Sequence, residues 1–145
     1  SIQSLVSDKT ITLRIHPISI LDGQSQGTEY SSRAASAVYA VAVADYSNVY
    51  AFIQAMYTNK PEEQSTGLTD AQIIDIAKNA GVNMTSDLEK AINSNRYVKY
   101  VQYMTPKTPI APGSSGIGTP TIAINDKVIA NSTLPQPDQL ATLFK

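Results

Sequence analysis

The chain has 145 residues, 42% of them hydrophobic and 16% charged, with a formal net charge of −1 and no cysteine. That length suits one domain with a real core. The lack of thiols excludes disulfides, thiolate metal sites and a cysteine nucleophile within these residues, and the balanced charge without blocks of Lys or Arg argues against a nucleic-acid surface. A zinc site takes three or four ligands, and the single histidine, His16, has no cluster of Asp or Glu around it in the sequence.

Ser1 opens the chain without Met and without a signal-peptide pattern, which leads to the expectation that an upstream part has been removed or left out. Ile11, Leu13 and Ile15 alternate with Thr12, Arg14 and His16, and this period of two predicts a strand with one buried face. Pro17 places the end of that strand at an edge. Leu21 to Gly27 reads as a polar loop.

From Ser31 to Ala44 the chain is alanine-rich, which predicts a helix packed closely on several sides. Its apolar run, residues 34–44, is 11 residues long; a membrane span needs about 20, so a buried helix is expected. A break at Asp45–Asn48 precedes a second helix carrying Val49, Phe52, Ile53, Met56 and Tyr57, which Pro61 closes off. Thr69 and Gln72 form a capping box before a stripe of Ile73, Ile74, Ala77 and Ala80, with Gly81 suited to the residue after the helix. Ser86 and Glu89 read as a second box, ahead of Leu88, Ala91 and Ile92. A further helix carries Tyr97, Tyr100, Tyr103, Val101 and Met104 and is expected to stop before Pro106. Such tyrosines are usually half-buried with their hydroxyls in water.

Residues 106–115 form a Pro/Gly/Ser-rich connection. Strands are predicted at 120–124 and 127–130, joined by Asn125-Asp126 as a type I′ turn, and a short helix closes the chain at 136–144 with Pro137 at its first position. The glycine-rich Gly113–Gly118 lacks the Gly-Lys-Ser/Thr ending of a phosphate loop and the spacing of a hydrolase elbow, and a strand follows it rather than a helix. Asn83-Met84-Thr85 and Asn131-Ser132-Thr133 match the glycosylation sequon, a pattern short enough to arise by chance.

Taken locally, Thr119-Pro120 reads as a trans proline at the first residue of a strand, since only about 5–6% of such bonds are cis in folded proteins. The wider pattern differs. Gly118-Thr-Pro-Thr121, an alternating strand, a two-residue turn, a second strand and a terminal helix resemble the C-terminal half of a thioredoxin-like fold. Residues 11–18, 31–35, 57–62, 67–70 and 76–81 extend the resemblance to DsbA-like proteins over nearly the whole chain. The resemblance implies an α/β thioredoxin-like fold, with residues 1–27 and 107–145 as the thioredoxin-like part and 28–106 as a helical insertion. It implies thiol–disulfide exchange on exported polypeptides, outside the cytoplasm: secreted, periplasmic or membrane-anchored. No cofactor, nucleic acid or transmembrane segment is implied; the partners are extended or unfolded polypeptides.

Carried over residue by residue, Pro120 is the cis residue, Thr119 the backbone partner of an extended substrate, and Ile117 and Gly118 line the approach. His16 is a candidate near this loop, set against its plainer reading as a partly exposed strand histidine. The family's chemistry needs a Cys-x-x-Cys pair at a helix N-terminus, which this chain lacks. Residues 1–6 resemble the last turns of that helix, so a further segment of roughly 30 residues, carrying the central strand, is expected upstream. Two other functions remain open: a non-catalytic thioredoxin-like module that binds peptides through the same loop, and a carrier of an apolar ligand between insertion and sheet.

Overall fold

Capping chemistry sets several of the helix boundaries. The computed structural model describes residues 2–136 and 139–144. Among these lie α1 (Ile2–Ser7), α2 (Tyr30–Ala44), α3 (Val49–Thr58), α4 (Asp70–Asn79), α5 (Ser86–Asn93), α6 (Val98–Met104), β1 (Ile122–Ile124) and β2 (Lys127–Ile129). Short 3-10 turns occur at Asp22–Gln24, Tyr46–Asn48, Thr105–Lys107, Asn131–Thr133 and Leu140–Phe144. Ser1, expected in the first helix, and Pro137, expected to open the last one, lie outside the described residues.

The capping box of α4 forms as expected. Gln72 N–H donates to Thr69 Oγ1 at 3.2 Å, and Thr69 N–H donates to Gln72 Oε1 at 2.9 Å. Gly81, at φ +91°, ends the helix; its N–H reaches the Lys78 carbonyl at 3.1 Å and the Val82 N–H reaches Ala77 at 3.0 Å. The same closure ends α5 at Asn95, with φ 51°, and α1 at Lys9, with φ 57°. The second box is shifted from its expected place. Thr85, still extended at ψ 161°, is the cap of α5 and accepts from the Leu88 N–H at 3.2 Å. Ser86 is already helical, which moves Glu89 one position past the one a capping box needs. Pro106 does not follow a clean stop either; it sits inside the 3-10 turn that continues α6.

Backbone contacts divide the chain into Pro17–Lys107 and a second unit made of Ser1–His16 with Thr108–Lys145. In the helical unit, small residues let α2 pack against α3, α5 and α6. Ala37, Ala40 and Val41 of α2 meet Phe52 and Met56 of α3, Ile73, Ile74 and Ala77 of α4, and Leu88, Ala91 and Ile92 of α5 in one buried cluster. Helix faces decide who enters it. Phe52 and Met56 stand four apart and are buried, while the neighbouring Tyr57, expected on the same stripe, is 75% exposed. Val43, within the run expected to be buried, is 73% exposed for the same reason.

Polar side chains tie this unit's loops to its helices. Arg33 donates from Nε to the Thr28 carbonyl at 2.8 Å, from one terminal nitrogen to Asp70 at 2.7 Å, and from the other to the Leu68 carbonyl at 2.9 Å. Asp22 caps α2 from a distance in sequence, accepting from the Ser32 N–H at 2.7 Å and from the Ser32 hydroxyl. Asp45 accepts from the Asn83 N–H at 2.9 Å, from Asn48 at 3.0 Å and from Ser47 at 3.0 Å.

The other unit is a hairpin with a short helix. β1 and β2 pair antiparallel in the register Ile122 to Ile129, Ala123 to Val128 and Ile124 to Lys127. Asn125 and Asp126 both have positive φ, 49° and 65°, as a type I′ turn requires. The strand expected at 11–16 is a correction: these residues form no ladder, and the sheet is two-stranded among the described residues. Alternation specifies a face, but a strand exists only where a partner accepts its hydrogen bonds. Here the two strands pair with each other, and Leu13 and Ile15 are left 38% and 43% exposed.

Two predictions follow from the tethers. Arg33 is 14% exposed at its side chain, and lysine cannot supply its three-way fork. Arg33→Lys is expected to lower unfolding stability by about 1–3 kcal/mol in urea. Arg96→Lys, at the more exposed pair with Asp87, should stay within about 1 kcal/mol; equal losses at both sites would contradict the assignment. The Asn83 N–H, with Asn48 and Ser47, holds the Asp45 carboxyl below its ordinary 3.8. Its contribution is complete above 3.8 and is lost as pH falls through the lower folded value. Asp45→Asn should therefore lower Tm at neutral pH, with the gap to the parent closing as the solution is acidified below 3.8.

Candidate functional site

The loop that leads into β1 is built on one anchor. Ala111 is buried and its carbonyl accepts from the Ser114 N–H at 3.0 Å, with Gly113 at φ +82° turning the chain. Residues 112–116 are then exposed, Ile117 and Gly118 are half-buried, and Thr119 and Pro120 are exposed. The Thr119–Pro120 peptide bond is cis, the isomer that the family resemblance implies. The Thr121 hydroxyl donates to the Gly118 carbonyl at 2.7 Å and closes the loop on itself. A Cβ placed on Gly116 or Gly118 would meet nothing within 4 Å, so the backbone here faces open space.

The loop therefore brings Ile117, Gly118, Thr119 and Pro120 together at the entry to a half-buried hairpin. One edge of β1 is taken by β2, and the other has no partner among the described residues. From residue 108 to 125 there is no titratable side chain. What this arrangement offers is backbone donors and acceptors together with the hydroxyls of Ser114, Ser115, Thr119 and Thr121. His16 is exposed, and no hydrogen bond or ion pair joins it to residues 117–120. Among the described residues no three His, Asp or Glu side chains gather as metal ligands.

A depression of about 330 Å³ lies in the helical unit between α3 and α4, lined by Ala55, Thr58, Asn59, Ile76, Asn79 and Ala80. Half of that lining is polar. Reading the sequence missed the roles of Asp22 and Arg33, because their partners stand 10 and 35 to 37 residues away; the only local signal was a polar residue on or near an otherwise small-residue helix. No helix among the described residues is long and apolar enough to cross a membrane.

The family model described as Thioredoxin matches residues 20–143. The serine/threonine-protein kinase PknE of Mycobacterium tuberculosis is 34% identical over 89 residues, which is 59% of this chain and 16% of the kinase. The PknE of Mycobacterium bovis matches to the same extent. The chain thus corresponds to about a sixth of the length of these curated relatives, 16%. No solved structure matches it.

Proposed function

The chain belongs to the thioredoxin family, and from that premise we propose that it is DsbA-like and takes part in thiol–disulfide exchange on exported polypeptides, outside the cytoplasm. In this reading residues 1–27 and 107–145 are the thioredoxin-like part and 28–106 the helical insertion. Ile117, Gly118, Thr119 and Pro120 receive an extended segment of substrate, with Thr119 as its backbone partner and His16 close by. The observation that carries the reading is the open backbone of this loop: Gly118 faces empty space and Thr119 and Pro120 are exposed. An extended chain gains most from main-chain hydrogen bonds to such a segment.

Exchange needs an attacking thiolate, a mixed disulfide and a resolving thiol. The 145 residues hold no cysteine, so both thiols of any such step come from outside them. That absence favours a second reading for these residues alone, a thioredoxin-like module that binds peptides without catalysis.

A thiol count under denaturing conditions, with an intact mass, separates the first two readings. Two thiols on a species heavier than 15.6 kDa support exchange; none leaves the binding module. Peptide binding itself is tested by Gly118→Val, because the added side chain has room to exist but stands where a substrate backbone would lie. The variant should melt like the parent and bind a fluorescent unfolded peptide roughly tenfold more weakly or worse, the equivalent of one or two lost backbone hydrogen bonds. Unchanged binding by a folded variant would refute the loop assignment.

A further inference from the structure

Residues 90–125 contain Lys90, Arg96, Lys99 and Lys107 and no Asp or Glu. Folding gathers part of this charge on one face. In α6 and the 3-10 turn after it, Lys99, Tyr103 and Lys107 recur every four residues, with Tyr100 one turn from Tyr103. Val101 of the same helix is completely buried, while Tyr100 and Tyr103 are 47% and 65% exposed and both lysines are exposed. The Lys107 ammonium sits 4.6 Å from the centre of the Tyr103 ring. Tyr39 of α2 meets Tyr100 edge-on, at 5.1 Å between centres and 88° between planes, so two perpendicular rings form a corner beside the stripe. Arg96 is occupied, donating to both Asp87 oxygens at 3.0 and 3.1 Å. Lys99 and Lys107 form no ion pair among the described residues.

We propose that this face of α6 docks a proline-rich polypeptide segment whose carboxylates stand about four residues apart. Lys99 and Lys107 are eight positions apart, or about 13 Å along the axis at 1.5 Å per residue through α6 and about 2 Å per residue through the 3-10 turn. A polyproline II chain advances about 3.1 Å per residue, so carboxylates four residues apart span about 12 Å, close to that separation. The prolines between them fall over Tyr100 and Tyr103, and flat aromatic side chains are what pre-ordered polyproline segments pack against. The two other anionic surfaces fit less well. A bilayer returns about 1 kcal/mol per cation, and the stripe has two unpaired cations and no aliphatic side chain to insert. A nucleic acid needs more phosphate neutralisation than two lysines give. The inference rests on α6, the turn that follows it and Tyr39, and is independent of the loop at 117–120.

The test uses the whole chain and a synthetic peptide of repeated Glu-Pro-Pro-Pro, read by fluorescence anisotropy, beside the same peptide with Gln for Glu. Binding to the Glu peptide should weaken as salt rises and fall at least tenfold in Lys99→Glu/Lys107→Glu, which changes only exposed side chains. Tyr103→Ala should fall similarly. Equal binding of the Gln peptide, no effect of charge reversal, or sedimentation with phosphatidylglycerol vesicles in the absence of peptide binding would each overturn the proposal. If Tyr103→Ala fails to fold, the lysine pair still decides.

Discussion

The helical unit is organised around the Arg33 guanidinium. Its planar fork takes the Thr28 carbonyl, the Leu68 carbonyl and the Asp70 carboxylate at once, and only a rigid five-donor group does that from one position. Those partners lie on the segment that enters α2 and the segment that enters α4. The lacing continues outward, with Thr28 Oγ1 donating to the Thr66 carbonyl at 2.6 Å and Gln26 to that of Gln64 at 2.7 Å. Between them Gly67, at φ +71°, lies so close to Tyr30 that a Cβ would come within 2.2 Å of the ring. The two loops have a fixed separation, and Ile73, Ile74 and Ala77 reach the core from a helix whose start that separation sets.

The same economy governs the buried hydroxyls. An alanine-rich helix packs closely but offers little to specify which segment packs where. Ser32 is joined to Asp22, Ser36 accepts from the Tyr97 N–H at 3.0 Å, and Thr105 accepts from the Ser19 N–H at 3.0 Å while donating to the Val101 carbonyl at 2.8 Å. A buried polar atom without a partner is costly, so each of these serines and threonines penalises any arrangement but the one that supplies its partner. No buried side-chain polar atom among the described residues lacks one. Hydrophobic burial drives this unit together, and a few hydroxyls select its register.

Short-range chemistry was legible in the sequence and long-range pairing was not. Thr69 with Gln72, Gly81, and Asn125-Asp126 each act within a few residues, and each does what its residue type dictates. The box at Ser86 and Glu89 misled because Thr85 offers the same hydroxyl one residue earlier and takes the cap. The strand at 11–16 misled differently. Its alternation is real, but pairing depends on another segment, and periodicity carries no information about that segment. At the candidate site, the glycine-rich loop and its proline were visible as types, while their exposure followed only from the fold. On α6 the tyrosine spacing is visible in the sequence; Lys107 joins the face of Lys99 only because 105–107 continue the turn.

The loop at 117–120 and the α6 stripe differ in what they can discriminate. Residues 108–125 carry no charge, and the main-chain groups of an open loop can pair with any extended chain, because every peptide presents the same donors and acceptors. Such groups discriminate little among partners. The α6 stripe is the converse: its lysines and tyrosines read side chains and make no demand on backbone pairing. Charge complementarity there draws acidic segments, and like charges placed there repel, so the stripe both attracts and rejects partners by their charge. In the proposed reading a neutral loop that accepts many polypeptides gains preference from a second surface, and α6 is one face among the described residues where exposed unpaired cations stand beside exposed aromatic rings.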